Sequence, residues 1–424
     1  MAENVSQEPP GGRWMMVIVG MIIQLTLGAI YAYGVLRTPL LDHFKSLGLS
    51  PSAMDMTWPF IVFLAVFAIT MPLAGPYIQK MGPKKVTMVG GVLCGLGWLA
   101  ASFASSPTML IPLYGVIGGL GVGIAYGAPI ATSAQWFPDK RGLAVGLTVL
   151  GFGFSSAIIT YTSKFMLGSG WGIMGIMQTF GIAFIIITVI LSMYLRFPQA
   201  GYKPAGWAPP TPAAGAAQKV DFMRNEMSKT TTFYGLWLCY TIGALAGLTA
   251  IGIAGPVGKE VFANAGMGAA EATDLTFTLI LPFALANGVG RPIFGTLTDK
   301  LNPMRTALVT YILILVACLL MYSSYSSVTA YVICFVLLWG CLGGWLAIAP
   351  TATASYFGMK DNAKNYGLVF TAYGAGAIIG GIVSAQAKDL LGAYQPFFLI
   401  VAALAVLGMV VAFMLMKPPV RKAA

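Results

Sequence analysis

The chain has 424 residues, 58% of them hydrophobic and only 9% charged, with a mean hydropathy of +0.81. A soluble globular protein carries about a quarter charged residues, so this composition excludes a soluble domain. The formal net charge of +11 invites a nucleic-acid reading, which the placement of the charges along the chain removes.

Twelve apolar runs reach the roughly 17–25 residues that a membrane-crossing helix needs. They fall near 15–36, 58–78, 86–104, 108–134, 142–165, 173–195, 233–256, 275–297, 306–323, 329–354, 366–387 and 395–416. The expected fold class is an all-α polytopic membrane protein. The first dozen residues hold two acids and two prolines and lack the basic stretch of a cleaved leader, so the first helix is expected to stay. An even number of spans puts both termini on one side. Eighteen of the 24 Lys and Arg then collect there, among them Arg13, Lys84, Lys85, Lys140 and Arg305. Arg37, Lys45, Lys164, Lys259 and Lys388 fall on the other side or at helix ends. The positive-inside rule makes the basic side cytoplasmic. The expectation is a multi-pass protein of the inner or plasma membrane with both termini cytoplasmic. Its partners are lipid and a small solute, with no nucleic acid.

Cys94, Cys239, Cys318, Cys334 and Cys341 lie in apolar runs without paired spacing and read as core residues. The single histidine, His43, sits in the first loop on the far side. No metal site or cofactor is expected, and no set of nucleophile and base converges as an enzyme would require.

Residues 196–232 are the only long polar interval, and Pro204–Ala217 within it reads as a flexible or polyproline-like linker. The domain reading is an N-terminal six-helix bundle at 1–195, a cytoplasmic linker at 196–232 and a C-terminal six-helix bundle at 233–424. The halves match at an offset of 220. Pro72, Gly75, Lys80, Pro83 and Lys85 fall on Pro292, Gly295, Lys300, Pro303 and Arg305, and Trp136-Phe137 on Tyr356-Phe357. A duplicated six-helix unit is a transporter architecture with its site between the halves near the midplane.

These paired loops resemble the major facilitator superfamily, whose loop between the second and third helices reads G-x-x-x-D-[RK]-x-G-x-[RK]-[RK] and recurs between the eighth and ninth. The copies here are GPYIQKMGPKK from Gly75 to Lys85 and GTLTDKLNPMR from Gly295 to Arg305. The second keeps the acid as Asp299; the first has Gln79. The stretch QWFPDKRGLAVG from Gln135 to Gly146, with Asn365-Tyr366-Gly367 in the other half, is similar to the signature shared by oxalate:formate antiporters and monocarboxylate transporters. The resemblance implies two six-helix bundles, alternating access and proton-coupled symport of a small carboxylate. Anion exchange of the oxalate:formate type stays open.

Arg291 is the only Lys or Arg deep within a predicted span, Thr276–Leu297, and no acid shares that span. A cation near a helix centre costs about 2.5–3.5 kcal/mol on insertion scales and marks a functional site by default. Its expected partner is a small anion from outside. A guanidinium about six residues from the span's end could instead snorkel to the headgroups. The resemblance implies that this arginine anchors the substrate carboxylate. Asn287, four residues earlier on the same face, stands where eukaryotic monocarboxylate transporters carry an aspartate. Gly288 and Gly290 are expected to leave room beside the guanidinium. Tyr31, Tyr126, Phe152, Phe370 and Tyr373 correspond to aromatic residues that wall the substrate in that branch, whereas Tyr33 faces away from Tyr31. Tyr373 also occupies the place of the antiporter's second cation. One cation matches one carboxylate, which favours a monocarboxylate such as lactate or pyruvate. Gly115, Gly119, Gly123 and Gly127, like Gly376 and Gly380, recur every four residues as helix-packing faces. All thirteen Asp and Glu lie in loops, tails or at helix ends. A proton would therefore ride on the substrate or use an edge acid such as Asp42, Glu260 or Asp274. A single chain is expected to suffice.

Overall fold

The computed structural model describes residues 12–199, 201–204, 221–358 and 361–419. Residues 1–11 and nearly all of Pro204–Ala217 lie outside the described residues. Among the described residues, twelve long helices follow the twelve predicted runs one for one. They are α1 (Trp14–Ser46), α2 (Ala53–Met81), α3 (Pro83–Ala101), α4 (Pro107–Trp136), α5 (Arg141–Gly168) and α6 (Ile173–Ser192). After a one-turn helix at Arg224–Met227 come α7 (Thr231–Asn264), α8 (Ala269–Leu301), α9 (Pro303–Ser323), α10 (Val328–Phe357), α11 (Asn362–Leu391) and α12 (Gln395–Leu415). Eleven are long and apolar enough to cross a membrane. The remaining one, α3, opens on Lys84 and Lys85, which dilute its hydropathy.

The duplication is visible atom by atom. Gly82 and Asn302, 220 positions apart, both turn the chain at φ near +80° and ψ 161°. Each precedes a proline at the first turn of the next helix, where a missing N–H costs nothing. Glycine adopts this positive-φ, extended backbone freely, whereas for asparagine it is a strained conformation. Asn302 adds a cap by accepting from Arg305 N. Trp136 Nε1 donates to Arg196 O at 2.8 Å, and Tyr356 OH donates to Met416 O at 3.0 Å. Donors and acceptors alike are 220 positions apart, so each half ties the end of its fourth helix to the end of its sixth.

The Gln135–Gly146 motif works as a clasp. Arg13 grips Asp139 with two bonds at 2.5 and 2.9 Å and lies 4.4 Å from the Phe137 ring centre. These bonds from Arg13 hold the Asp139 carboxyl below the ordinary carboxylate range. In the other half, Phe222 N donates to Phe357 O and Asn365 Nδ2 to Phe222 O, both at 2.9 Å. Asp299, the acid kept in the second loop motif, is exposed and forms no ion pair among the described residues.

Depth separates inner from outer helices. The most apolar stretch of α7 is 89% buried, against 33% for α12 and 39% for α6, which leaves the last two to face lipid. Glycines set the close approaches. Gly115, Gly119, Gly123 and Gly127 all face α2, and Gly376 and Gly380 face α7, as the four-residue spacing predicts. Among the described residues, three glycine-lined seams join the halves, one of them between Gly34 of α1 and Ile251 of α7. Along the second, Gly381, Gly374 and Gly367 of α11 meet Ile61, Ala68 and Pro72 of α2. Along the third, Gly153 of α5 meets Gly288 of α8.

Candidate substrate site

Arg291 does not snorkel. It is fully buried, and its guanidinium reaches across the α5–α8 seam, where Nη1 donates to Val149 O at 2.7 Å. Nη2 donates to Asn287 Oδ1 at 3.2 Å, and Nε has no acceptor. Asn287 is held in turn, because its Nδ2 donates to Trp339 O of α10 at 3.0 Å. Asn287 therefore orients Arg291, with its own amide already engaged on both sides. No carboxylate pairs with Arg291 among the described residues.

The run Gly151-Phe152-Gly153 explains how the seam comes so close. A Cβ on Gly151 would collide with Met21 O of α1, and one on Gly153 would sit 2.8 Å from Asn287 Oδ1. Between them Phe152 projects inward, with the Arg291 guanidinium carbon 5.8 Å from its ring centre. The glycines beside Arg291 serve the neighbouring helices and not the guanidinium, which corrects the sequence expectation. A Cβ at Gly288 would meet the Phe154 ring of α5, and one at Gly290 the Gly340 carbonyl of α10.

All seven residues singled out from sequence converge. Tyr31 stands edge-on to Phe152 at 5.0 Å, and its hydroxyl shares a 2.8 Å hydrogen bond with that of Tyr373. Tyr126 lies 5.4 Å from Phe152 and 5.7 Å from Phe370, which stacks on Tyr373 at 4.9 Å. None of the seven is more than 2% exposed, so the structure shows the centre closed to both faces. Tyr33 stands apart, as expected: its hydroxyl donates to Met56 O and its ring stacks with Phe60 and Tyr114.

Four further residues belong to the cluster. Phe67 of α2 touches Tyr126, Phe370 and Tyr373 at 5.1–5.6 Å. The repeat could have found it, since 67 plus the 220 offset is Asn287. Tyr366 lies 5.8 Å and Tyr240 6.3 Å from Phe370. Gln24 of α1 donates to Tyr126 O of α4 at 2.9 Å.

Arg37 requires a correction. It was expected at a helix end, but α1 continues through a 3-10 stretch, Gly28–Ala32, into a further helix, Tyr33–Ser46. Arg37 is therefore only 6% exposed, and Arg291 is not the only buried cation. The edge acids are placed away from the cluster, at the face opposite the termini. Asp42 is exposed, Asp274 pairs with Lys164, and Glu260 pairs with Lys388 at 2.6 Å while accepting from Tyr325 OH. Burial first, and then the Glu260 carboxylate, push the Tyr325 phenol far above its ordinary value.

Comparison with known proteins fixes the family. The Major Facilitator Superfamily profile matches residues 13–353 and 236–424. The chain belongs to that superfamily. It is 28% identical over 397 residues to the oxalate:formate antiporter of Oxalobacter formigenes, covering 92% of this chain and 88% of that protein. It is 26% identical over 416 residues to monocarboxylate transporter 13 of Bos taurus, covering 95% and 89%. Among solved structures, a bacterial homologue of the human lysosomal transporter Spinster, inward-facing and unoccupied, superposes with a TM-score of 0.67 at 16% identity, covering 95% of this chain and 96% of that one. That likeness establishes the fold: twelve membrane helices in two six-helix bundles. This superfamily member is a membrane transporter and not an enzyme.

Proposed function

We propose that this protein carries small monocarboxylates such as lactate or pyruvate, with a proton, by alternating access. The observation that carries the reading is Arg291: a fully buried cation at the seam between the halves, with Nε unsatisfied and no carboxylate partner among the described residues. Such a charge is costly unless an anion joins it. When α5 parts from α8, Nη1 loses Val149 O, and a substrate carboxylate takes Nε and one Nη in two parallel bonds. Tyr31, Tyr126 and Tyr373 bond its remaining polar atoms while Phe67, Phe152 and Phe370 wall its apolar end. Neutralising Arg291 lowers the cost of closing the dry centre, and the halves then rock to the other side.

The substrate class follows from charge. Tyr373 stands where a second cation would, so a dianion would keep one carboxylate desolvated and unpaired at a cost of several kcal/mol. The proton is proposed to travel on the substrate carboxyl, because Glu260 and Asp274 are each held by a lysine away from the cluster. Placement in the inner or plasma membrane with both termini cytoplasmic, the division at 196–232 and action as a monomer belong to the same proposal.

The test is uptake of labelled lactate into proteoliposomes, with and without an inward proton gradient and with unlabelled oxalate as competitor. Gradient-driven overshoot indifferent to oxalate is expected. The identity to an oxalate:formate antiporter favours exchange as the second reading. Counterflow that oxalate blocks and the gradient leaves unchanged would establish that reading and overturn symport.

A further inference from the structure

The second buried cation is Arg37 of α1. Arg37 follows Tyr31 by six residues, about 9 Å along α1 towards the face opposite the termini. It lines a cavity of about 10 Å³, room for one water, where α1 and α2 of one half meet α7 and α11 of the other. Tyr33, Thr57, Thr249, Gly381 and Ser384 share the lining. Arg37 Nη2 donates to Ala53 O, and among the described residues no carboxylate pairs with it. Thr249 Oγ1, on a residue 3% exposed, has no partner. On α11, Ala377, Gly381 and Ser384 continue the face of Tyr373 at steps of four, four and three residues, a single stripe on a helix. The cavity thus shares the α11 stripe with Tyr373, whose hydroxyl is hydrogen-bonded to that of Tyr31.

We propose that Arg37 forms an outer carboxylate-binding station, at which the substrate anion is held before the Tyr31–Tyr373 contact opens and passes it to Arg291. The station rests on the carboxylate reading above. Parting of the α2–α11 seam widens the cavity to substrate size. The guanidinium of Arg37 then takes the carboxylate, with the Thr249 and Ser384 hydroxyls as further donors. A buried guanidinium and an unpartnered hydroxyl lining one cavity suit an oxyanion and would repel a cation.

Labelling from the outer face tests this. Ser384→Cys is introduced, with the five native cysteines replaced by serine, for an impermeant maleimide in right-side-out vesicles; Ser384 is as buried here as those cysteines, so labelling reads the opening of the seam. Lactate at millimolar concentration is expected to slow labelling about tenfold, and still to do so in an Arg291→Gln background, where the central site is disabled. Adding Arg37→Gln to that background should abolish the protection, and Arg37→Lys should restore part of it. Protection that vanishes with Arg291→Gln alone, or that survives Arg37→Gln, overturns the station. Arg37-dependent protection in a protein that takes up no lactate would uphold the anion station while refuting the transport reading, so the two failures are distinguishable.

Discussion

Lysine and glutamine at position 291 separate the charge of the side chain from its shape. In the closed state Nη1 is committed to Val149 O and Nη2 to Asn287 Oδ1, with Nε free. A lysine keeps the charge but presents a point instead of a planar fork, so one of two parallel bonds to a carboxylate is lost. A bond to a charged group contributes about 1.5–3 kcal/mol, which predicts an apparent lactate affinity weaker by roughly 10- to 150-fold. Glutamine removes the cation and should abolish transport. Stability moves much less. Removing the buried charge relieves a cost of about 2.5–3.5 kcal/mol, against two charge-assisted hydrogen bonds at about 1.5–3 kcal/mol each. The thermal midpoint of Arg291→Gln should therefore lie near or modestly below that of the parent. Saturating lactate, at about 100 times Kd, should stabilise the parent by about 2.7 kcal/mol and leave the glutamine variant unmoved. Proteoliposome uptake and thermal unfolding with and without lactate read both effects. Wild-type transport in both variants would refute the site, and a collapsed midpoint in Arg291→Gln would make the residue a structural strut.

Three other changes test the surroundings. Tyr373→Lys restores a second cation and should improve oxalate competition relative to lactate; an unchanged preference removes Tyr373 from the specificity argument. Gly153→Ala places a methyl 2.8 Å from Asn287 Oδ1 and 2.9 Å from Gly288 Cα. Overpacking of this kind costs about 1–3 kcal/mol and should slow transport by holding α5 off α8, so unaltered transport would mean the seam need not close this tightly. Asp139→Asn tests the Arg13 clasp. Because the folded carboxyl titrates below its unfolded value, its stabilisation is present above about pH 4 and lost as pH falls through the lowered value. The thermal midpoint of Asp139→Asn should lie below the parent's at neutral pH, with the gap closing on acidification. A gap independent of pH would show that lost packing, not charge, is responsible.

Much of this architecture is written in one dimension. Runs of apolar residues longer than a bilayer is thick must become helices, because only there are all backbone groups satisfied; twelve such runs produced twelve helices. The 220-residue repeat anticipated matched turns at Gly82 and Asn302 and matched clasps at Trp136 and Tyr356. Arg291 and Asn287 were legible because a charge in an apolar run is expensive and four residues make one helix face. The aromatic residues came from resemblance alone.

Tertiary structure decided what helical periodicity leaves free: how far each helix is rotated about its axis and how close its neighbours come. The glycines at 151, 153, 288 and 290 set those rotations by letting backbones touch, which a count of glycines cannot assign to one neighbour or another. The same freedom hid Gln24, Tyr240 and Tyr366, whose helices turn them to the centre, while Phe67 shows in the sequence only as the repeat position of Asn287. It also hid Arg37, whose burial depends on the 3-10 stretch that carries α1 past its predicted end and sets the guanidinium against α2.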